Sequence, residues 1–151
     1  MVNLRTMEVN PQSKERNVTT HRVQVNSDEV PSPRGHFSHA VRAGNTVYVS
    51  GMLASHSDGT VLHPNDVAGQ TNVIFTRLGQ ILTAAGGHIS DVVSLTTYVT
   101  SIADRGPVNE LRKEVFGECR PASTLVEVSA LAAPGSVIEI DAIAVLSTSP
   151  R

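Results

Sequence analysis

The sequence predicts an α+β fold in which one mixed β-sheet carries two helices packed on one face. Three observations lead there. Short runs rich in β-branched residues alternate apolar and polar positions, as half-buried strands do. Two longer segments repeat apolar residues at steps of three and four, the period of an amphipathic helix. The elements follow the order strand, hairpin, helix, strand, helix, strand, strand, and a sheet with both helices on one side buries both helical stripes at once.

Residues 1–17, MVNLRTMEVNPQSKERN, are polar and unpatterned and are expected to form a flexible N-terminal arm. Residues 18–151 are then a single domain, as a chain of 151 residues allows. In HRVQVN, Val23 and Val25 alternate with Arg22 and Gln24, which reads as a half-buried strand. DEVPSPRGHF holds two prolines and a glycine and is a loop. HAVRAGNTVYVSGM is a hairpin with Gly44-Asn45 as its turn, and its second arm ends at Ser50-Gly51, where a missing side chain permits close backbone approach.

After HPND, Asn65 or Asp66 is placed to cap a helix whose inner face is Val67, Thr71, Ile74, Leu78, Ile81, Leu82 and Ala85. Gly86-Gly87 supplies its stop. DVVSLTTYVTS is a strand, and Asp104 caps a shorter helix with Val108, Leu111, Val115 and Phe116 inward. CRPASTLVEVSALAAPGSVIEIDAIAV then reads as two strands joined by a short turn. In the last strand Ile138, Ile140, Ala142, Ala144 and Leu146 point under the helices, whereas Val137, Glu139, Asp141, Ile143 and Val145 point the other way. That second face is too apolar to be left in water, so an oligomer is expected, with Glu139 near the subunit contact.

Composition removes several classes of function. Apolar residues make up 40% and charged residues 17%, and the net charge of −2 gives no sign of nucleic-acid or membrane binding. Two Tyr, three Phe and no Trp leave no aromatic platform for stacked bases. No apolar run approaches the roughly 18 residues of a membrane span, and no hydrophobic signal core is apparent. A lone Cys119 suits a reducing compartment, so a cytoplasmic protein is expected, with this cysteine a buried small hydrophobe. His36-x-x-His39 lacks companion ligands at a recognised spacing, and Ser123 sits in no GxSxG elbow, so neither a metal site nor a serine nucleophile is expected. No cofactor is implied.

RPASTLVEVSALAAPGSVIEIDAIAV resembles the signature region of the YjgF/RidA family. AVRAGNTVYVSG, QTNVIFTRLGQILTAAGGHISDVVSLTTYVTSI and VNELRKEVF resemble its other landmarks in the right order, over about residues 20–147. The resemblance implies a chorismate-mutase-like fold, a homotrimer with clefts between subunits, and hydrolysis of small enamines or imines to a keto compound and ammonia. It also implies site residues. The carboxylate that positions the attacking water matches Glu139. Ser50, Gly51 and Asn109 match further polar landmarks, and Phe37 matches a Tyr without its hydroxyl.

In the family's PARS motif an Arg grips the substrate carboxylate. Here Pro121-Ala122-Ser123-Thr124 puts Ser123 in its place, followed by Thr124 and then Leu125 where a Cys is frequent. Losing a bidentate charge-assisted contact costs about one to two decades in affinity. Arg120 lies three residues before Ser123, so strand parity puts it on the opposite face, and it replaces the cation only if the chain bends there. Arg34, His36 and His39 are alternatives that would reach across a subunit boundary. Glu139 itself either works at a site or pairs with a cation at the interface. Two function classes remain: a RidA-like hydrolytic deaminase with altered substrate preference, and a non-catalytic trimer of the same fold that binds a small ligand or a partner.

Overall fold

The computed structural model describes residues 22–147, so the arm expected at 1–17 lies outside the described residues. The elements are β1 (Arg22–Val25), β2 (Ala40–Ala43), β3 (Thr46–Met52), α1 (Val67–Ala84), β4 (Val92–Val99), α2 (Arg105–Phe116), β5 (Ala122–Glu127) and β6 (Ile138–Val145). They build a six-stranded sheet in the order β1-β2-β3-β6-β4-β5. Only β4 and β5 pair in parallel; the other neighbours are antiparallel.

Local chemistry explains most boundaries. Gly44, at φ +61°, takes the left-handed position that the tight turn between β2 and β3 requires. Asp66 caps α1 by accepting a hydrogen bond from the Gly69 amide at 3.0 Å. The helix stops in a Schellman arrangement: Gly86, at φ +84°, donates to Thr83 O at 2.9 Å and Gly87 donates to Leu82 O at 2.8 Å. Asp104 makes no side-chain cap at α2. A 3-10 turn over Ile102–Asp104 precedes the helix, and Ser101 caps that turn instead, accepting from the Ala103 amide.

The last two strands depart from the expected short connection. β5 and β6 are not neighbours, because β4 lies between them, and the segment 128–137 carries the chain from one to the other. β5 follows α2 and so returns parallel to β4 at the sheet edge, while β6 enters between β3 and β4 and completes a split βαβ unit.

Both helices lie on one face of the sheet. Ile74, Leu78, Ile81 and Leu82 of α1 are buried with Val47, Leu95, Val99, Ile138 and Ile140 beneath them. Val108 and Phe116 of α2 join this core, Phe116 meeting Phe75 edge-on at 5.5 Å, while Leu111 and Val115 are half-buried. On β6 every second residue from Ile138 to Leu146 is buried, as alternation predicts.

The core also holds a polar side chain that the apolar pattern did not flag. Gln70 is fully buried, yet its Nε2 donates to His63 O at 2.9 Å and Gly135 O at 2.8 Å, and its Oε1 accepts from the Val137 amide at 2.9 Å. It ties α1 to the residue just before β6. Gln70→Leu keeps the volume but strands the Val137 amide, whereas the His63 and Gly135 carbonyls keep the Asp66 and Asn65 amides as donors. We expect a loss of about 2–3 kcal/mol in urea unfolding. A loss below about 0.5 kcal/mol, the range of an ordinary surface substitution, would show that other contacts hold this junction.

Candidate functional site

Glu139 sits on the uncovered face of β6, beside an irregularity in β3. Val49 pairs with Ala142 and Met52 with Ile140, so β3 advances three residues where β6 advances two. The resulting bulge carries Ser50 and Gly51. The Glu139 carboxylate lies against Gly51, in the space that any Cβ at that position would fill. The glycine thus permits this close approach, and a Cβ at Gly51 would push the Glu139 carboxylate out of its present position.

Ser50 is bound to the loop in front of the hairpin. Its amide donates to His39 O at 3.0 Å and its Oγ donates to Ser38 O at 2.8 Å. This holds the segment bearing Phe37, whose ring is 54% exposed. His39 is buried, with Nδ1 accepting from the Ser27 amide at 3.1 Å and Nε2 donating to Pro31 O at 2.9 Å. Both ring nitrogens are thus used to shape the loop, which leaves His39 no nitrogen free to reach for a ligand.

Among the described residues no hydrogen bond or ion pair reaches the Glu139 carboxylate. Burial pushes its pKa above the ordinary carboxylate value, and the neighbouring Asp141 adds to that rise. Asp141 is itself engaged, accepting from Tyr98 Oη at 3.1 Å, and the carboxylate raises the pKa of that phenol in turn. Glu139 is a half-buried, unpaired carboxylate with a raised proton affinity, suited to accept a proton from water.

A second group of residues gathers on the helix side. A cavity of about 560 Å³ between α2 and the start of β5 is lined by Asn109, Arg112, Phe116, Arg120 and Ser123 among others. Ser123 pairs with Leu95, whose side chain is buried under the helices, so Ser123 faces the same way. Thr124 faces the opposite side, in register with Thr96 and so with Asp141. Leu125 packs against the core.

Arg120 corrects the parity expectation. The chain turns after Gly117, at φ +52°, with the Cys119 amide donating to Phe116 O at 2.9 Å, so Arg120 precedes the strand and lines the same cavity as Ser123. Its guanidinium nevertheless meets Glu118 at 3.4 Å, and both are largely exposed. Cys119 is exposed on this turn, not buried as its apolar character suggested.

The structure thus brings Glu139, Ser50 and Gly51 together, and separately Asn109, Arg120 and Ser123, with the sheet between the two groups. Arg112 is the residue that the sequence reading missed. Its signal was its place three residues after Asn109, on the same side of α2. Among the described residues no group of three or more His, Cys, Asp or Glu is arranged to hold a metal ion, and no helix is long and apolar enough to cross a membrane.

Residues 27–146 match the family model described as Endoribonuclease L-PSP. The chain is 38% identical over 121 residues to a 2-iminobutanoate/2-iminopropanoate deaminase of Rattus norvegicus, covering 80% of this chain and 88% of that protein. It is 36% identical over 114 residues to the 3-aminoacrylate deaminase RutC of Acinetobacter baylyi, covering 76% and 90%. Among solved structures, RidA from an Antarctic Psychrobacter matches with a TM-score of 0.76 at 33% identity, over 82% of this chain and 99% of that one. The chain belongs to this family, the YjgF/RidA family, and has its chorismate-mutase-like α+β fold.

The electrostatics around Glu139 give a pH signature. Its raised native pKa means that the folded state holds an extra proton between the unfolded and folded values. Its contribution to stability is full below the unfolded pKa and is lost as pH rises through the folded one. Glu139→Gln should flatten that part of the stability–pH curve, and Asp141→Asn should move it toward lower pH. A curve unchanged by Glu139→Gln would mean that the carboxylate is not desolvated in the native protein.

Proposed function

We propose that this chain is a hydrolytic deaminase of small enamines or imines derived from amino acids, working at a cleft between subunits of a homotrimer. The observation that carries this reading is the unpaired, desolvated carboxylate of Glu139 lying over Gly51. The deaminases named among the relatives support the type of reaction.

In the proposed reaction an enamine first tautomerises to its imine, whose protonated C=N carbon is the electrophile. Glu139 accepts a proton from a water as the water oxygen bonds to that carbon, giving a carbinolamine. The same proton then passes to the amine nitrogen. As the C–N bond breaks, the carbinol hydroxyl gives its proton to the freed Glu139 carboxylate, which hands it to the departing ammonia, leaving a keto compound and ammonium. A carboxyl with raised proton affinity serves both steps, as the base first and the acid second. Ser123, in the place of the family's Arg, supports an altered substrate preference, and Phe37 retains an aromatic wall without a phenol.

The trimer finds support in the uncovered face of the sheet. Tyr48 and Val145 are 51% and 46% exposed there, Val126 is 40% exposed, and Ile143 lies between them. A face of this character is suited to a second copy of the chain. If the second copy set its open sheet face against the α2–β5 edge, the helix-side cavity and the Glu139 face, which one chain keeps apart, would come together.

Two measurements test the reading. Light scattering at micromolar concentration should give the mass of a trimer, and a monomer would remove the inter-subunit cleft. In a coupled assay generating 2-aminoacrylate or 2-aminocrotonate, Glu139→Gln should preserve the oligomer and slow ammonia release by about 10²–10⁴-fold. Unchanged release would exclude Glu139 as the acid–base group. If the unsubstituted protein accelerates no such release, the same fold acting as a non-catalytic binding trimer is the better account.

A further inference from the structure

We propose that Arg112 holds the carboxylate of a small 2-imino or 2-oxo acid in the cavity between α2 and β5, supplying from the helix the cation that β5 lacks. The choice of substrate class rests on the deaminase reading above; the anion site itself rests on geometry.

Arg112 lines the cavity together with Asn109 and Ser123. Its Nε and Nη2 atoms are shielded from solvent and have no hydrogen-bond partner among the described residues. These two nitrogens share one edge of the guanidinium, the side-on fork that meets both oxygens of a carboxylate. A charged donor left buried and unpaired is costly, so such a group calls for an anion from outside the chain.

The neighbouring cations are already matched. Lys113 meets Glu110 at 2.8 Å and Arg120 meets Glu118 at 3.4 Å. Arg77, the other arginine whose proton affinity burial lowers, donates to Leu53 O at 2.9 Å. Arg112 is desolvated in the same way and has no such acceptor. One uncompensated cation with a planar fork suits a monoanionic carboxylate better than a dianion. The Asn109 amide and the Ser123 hydroxyl add neutral donors on two sides. Ser123 and Arg112 line the same cavity, and no hydrogen bond at Nε or Nη2 among the described residues opposes a rotation that would turn the Arg112 fork toward a ligand there.

The test is calorimetric titration of the full-length protein with 2-oxobutanoate, the stable product of the proposed reaction, alongside thermal unfolding. The unsubstituted protein should bind it and unfold at higher temperature in its presence. Arg112→Met should weaken binding at least about tenfold, and Arg112→Lys should restore part of it. Without ligand, Arg112→Met should unfold at the same or a higher temperature, because an unpaired buried charge has been removed; this separates lost binding from lost folding. Equal binding by Arg112→Met, no binding by the unsubstituted protein, or tighter binding of inorganic phosphate than of 2-oxobutanoate would each overturn the assignment. The two proposals fail separately. Arg112-dependent binding without any ammonia release would sink the deaminase and keep the anion site. Ammonia release with an unchanged KM in Arg112→Met would sink the anion site and keep the deaminase.

Discussion

The amide of Gln70 is buried with both of its heavy atoms engaged, and it fixes where β6 begins. Everything of interest depends on that starting point. Strand side chains alternate, so a slip of one residue would turn Ile138, Ile140, Ala142 and Ala144 out into water and drive Glu139 and Asp141 under the helices. Burying two carboxylates there would cost several kcal/mol at least. At the other end the Leu146 amide donates to Asn45 O at 2.8 Å, so the hairpin turn holds the same register. Core packing and the placement of Glu139 are therefore one constraint seen from the two faces of a strand.

The bulge in β3 builds on this register. Were β3 regular, Ser50 and Gly51 would continue the ladder opposite β6. The extra residue instead turns Ser50 toward the loop before the hairpin and leaves Gly51 beneath the Glu139 carboxylate. Three local features cooperate: a hydroxyl that anchors a loop, a glycine that permits close approach, and a half-buried setting, with Asp141 beside it, that keeps the carboxyl's proton affinity high.

Elements whose signals are local were legible in the sequence. The Gly44-Asn45 hairpin, the Asp66 cap, the Gly86 stop and the faces of β6 all follow from short-range geometry. What failed depended on the chain beyond the immediate neighbours. Alternation says which way Ser123 or Glu139 points along a strand, but not which strands pair, so β4 between β5 and β6 was not foreseen. The parity argument for Arg120 assumed an extended chain where Gly117 makes a turn, and that turn also exposes Cys119. Gln70 and Arg112 were passed over for a shared reason. A helical stripe is read from apolar residues, and a long polar side chain within or beside it shows its role only through its partners, or through the lack of them.

That lack is itself informative when two such groups are considered together. Among the described residues Glu139 is a desolvated carboxylate without a cation and Arg112 a desolvated guanidinium without an anion, yet the sheet keeps them from pairing within a chain. Two opposite charges left apart in this way are each a cost to the isolated fold. A protonated 2-imino acid carries a positive nitrogen at one end and a carboxylate at the other. In the proposed trimer, with one chain's cavity facing its neighbour's open sheet, that ligand would meet the carboxylate of one subunit and the guanidinium of the next. Moving the cation from β5 to α2 would then change the distance and angle between the two charges rather than remove one of them. A substrate of different length or branching is the expected consequence, because a bidentate fork fixes the carboxylate plane as well as its position.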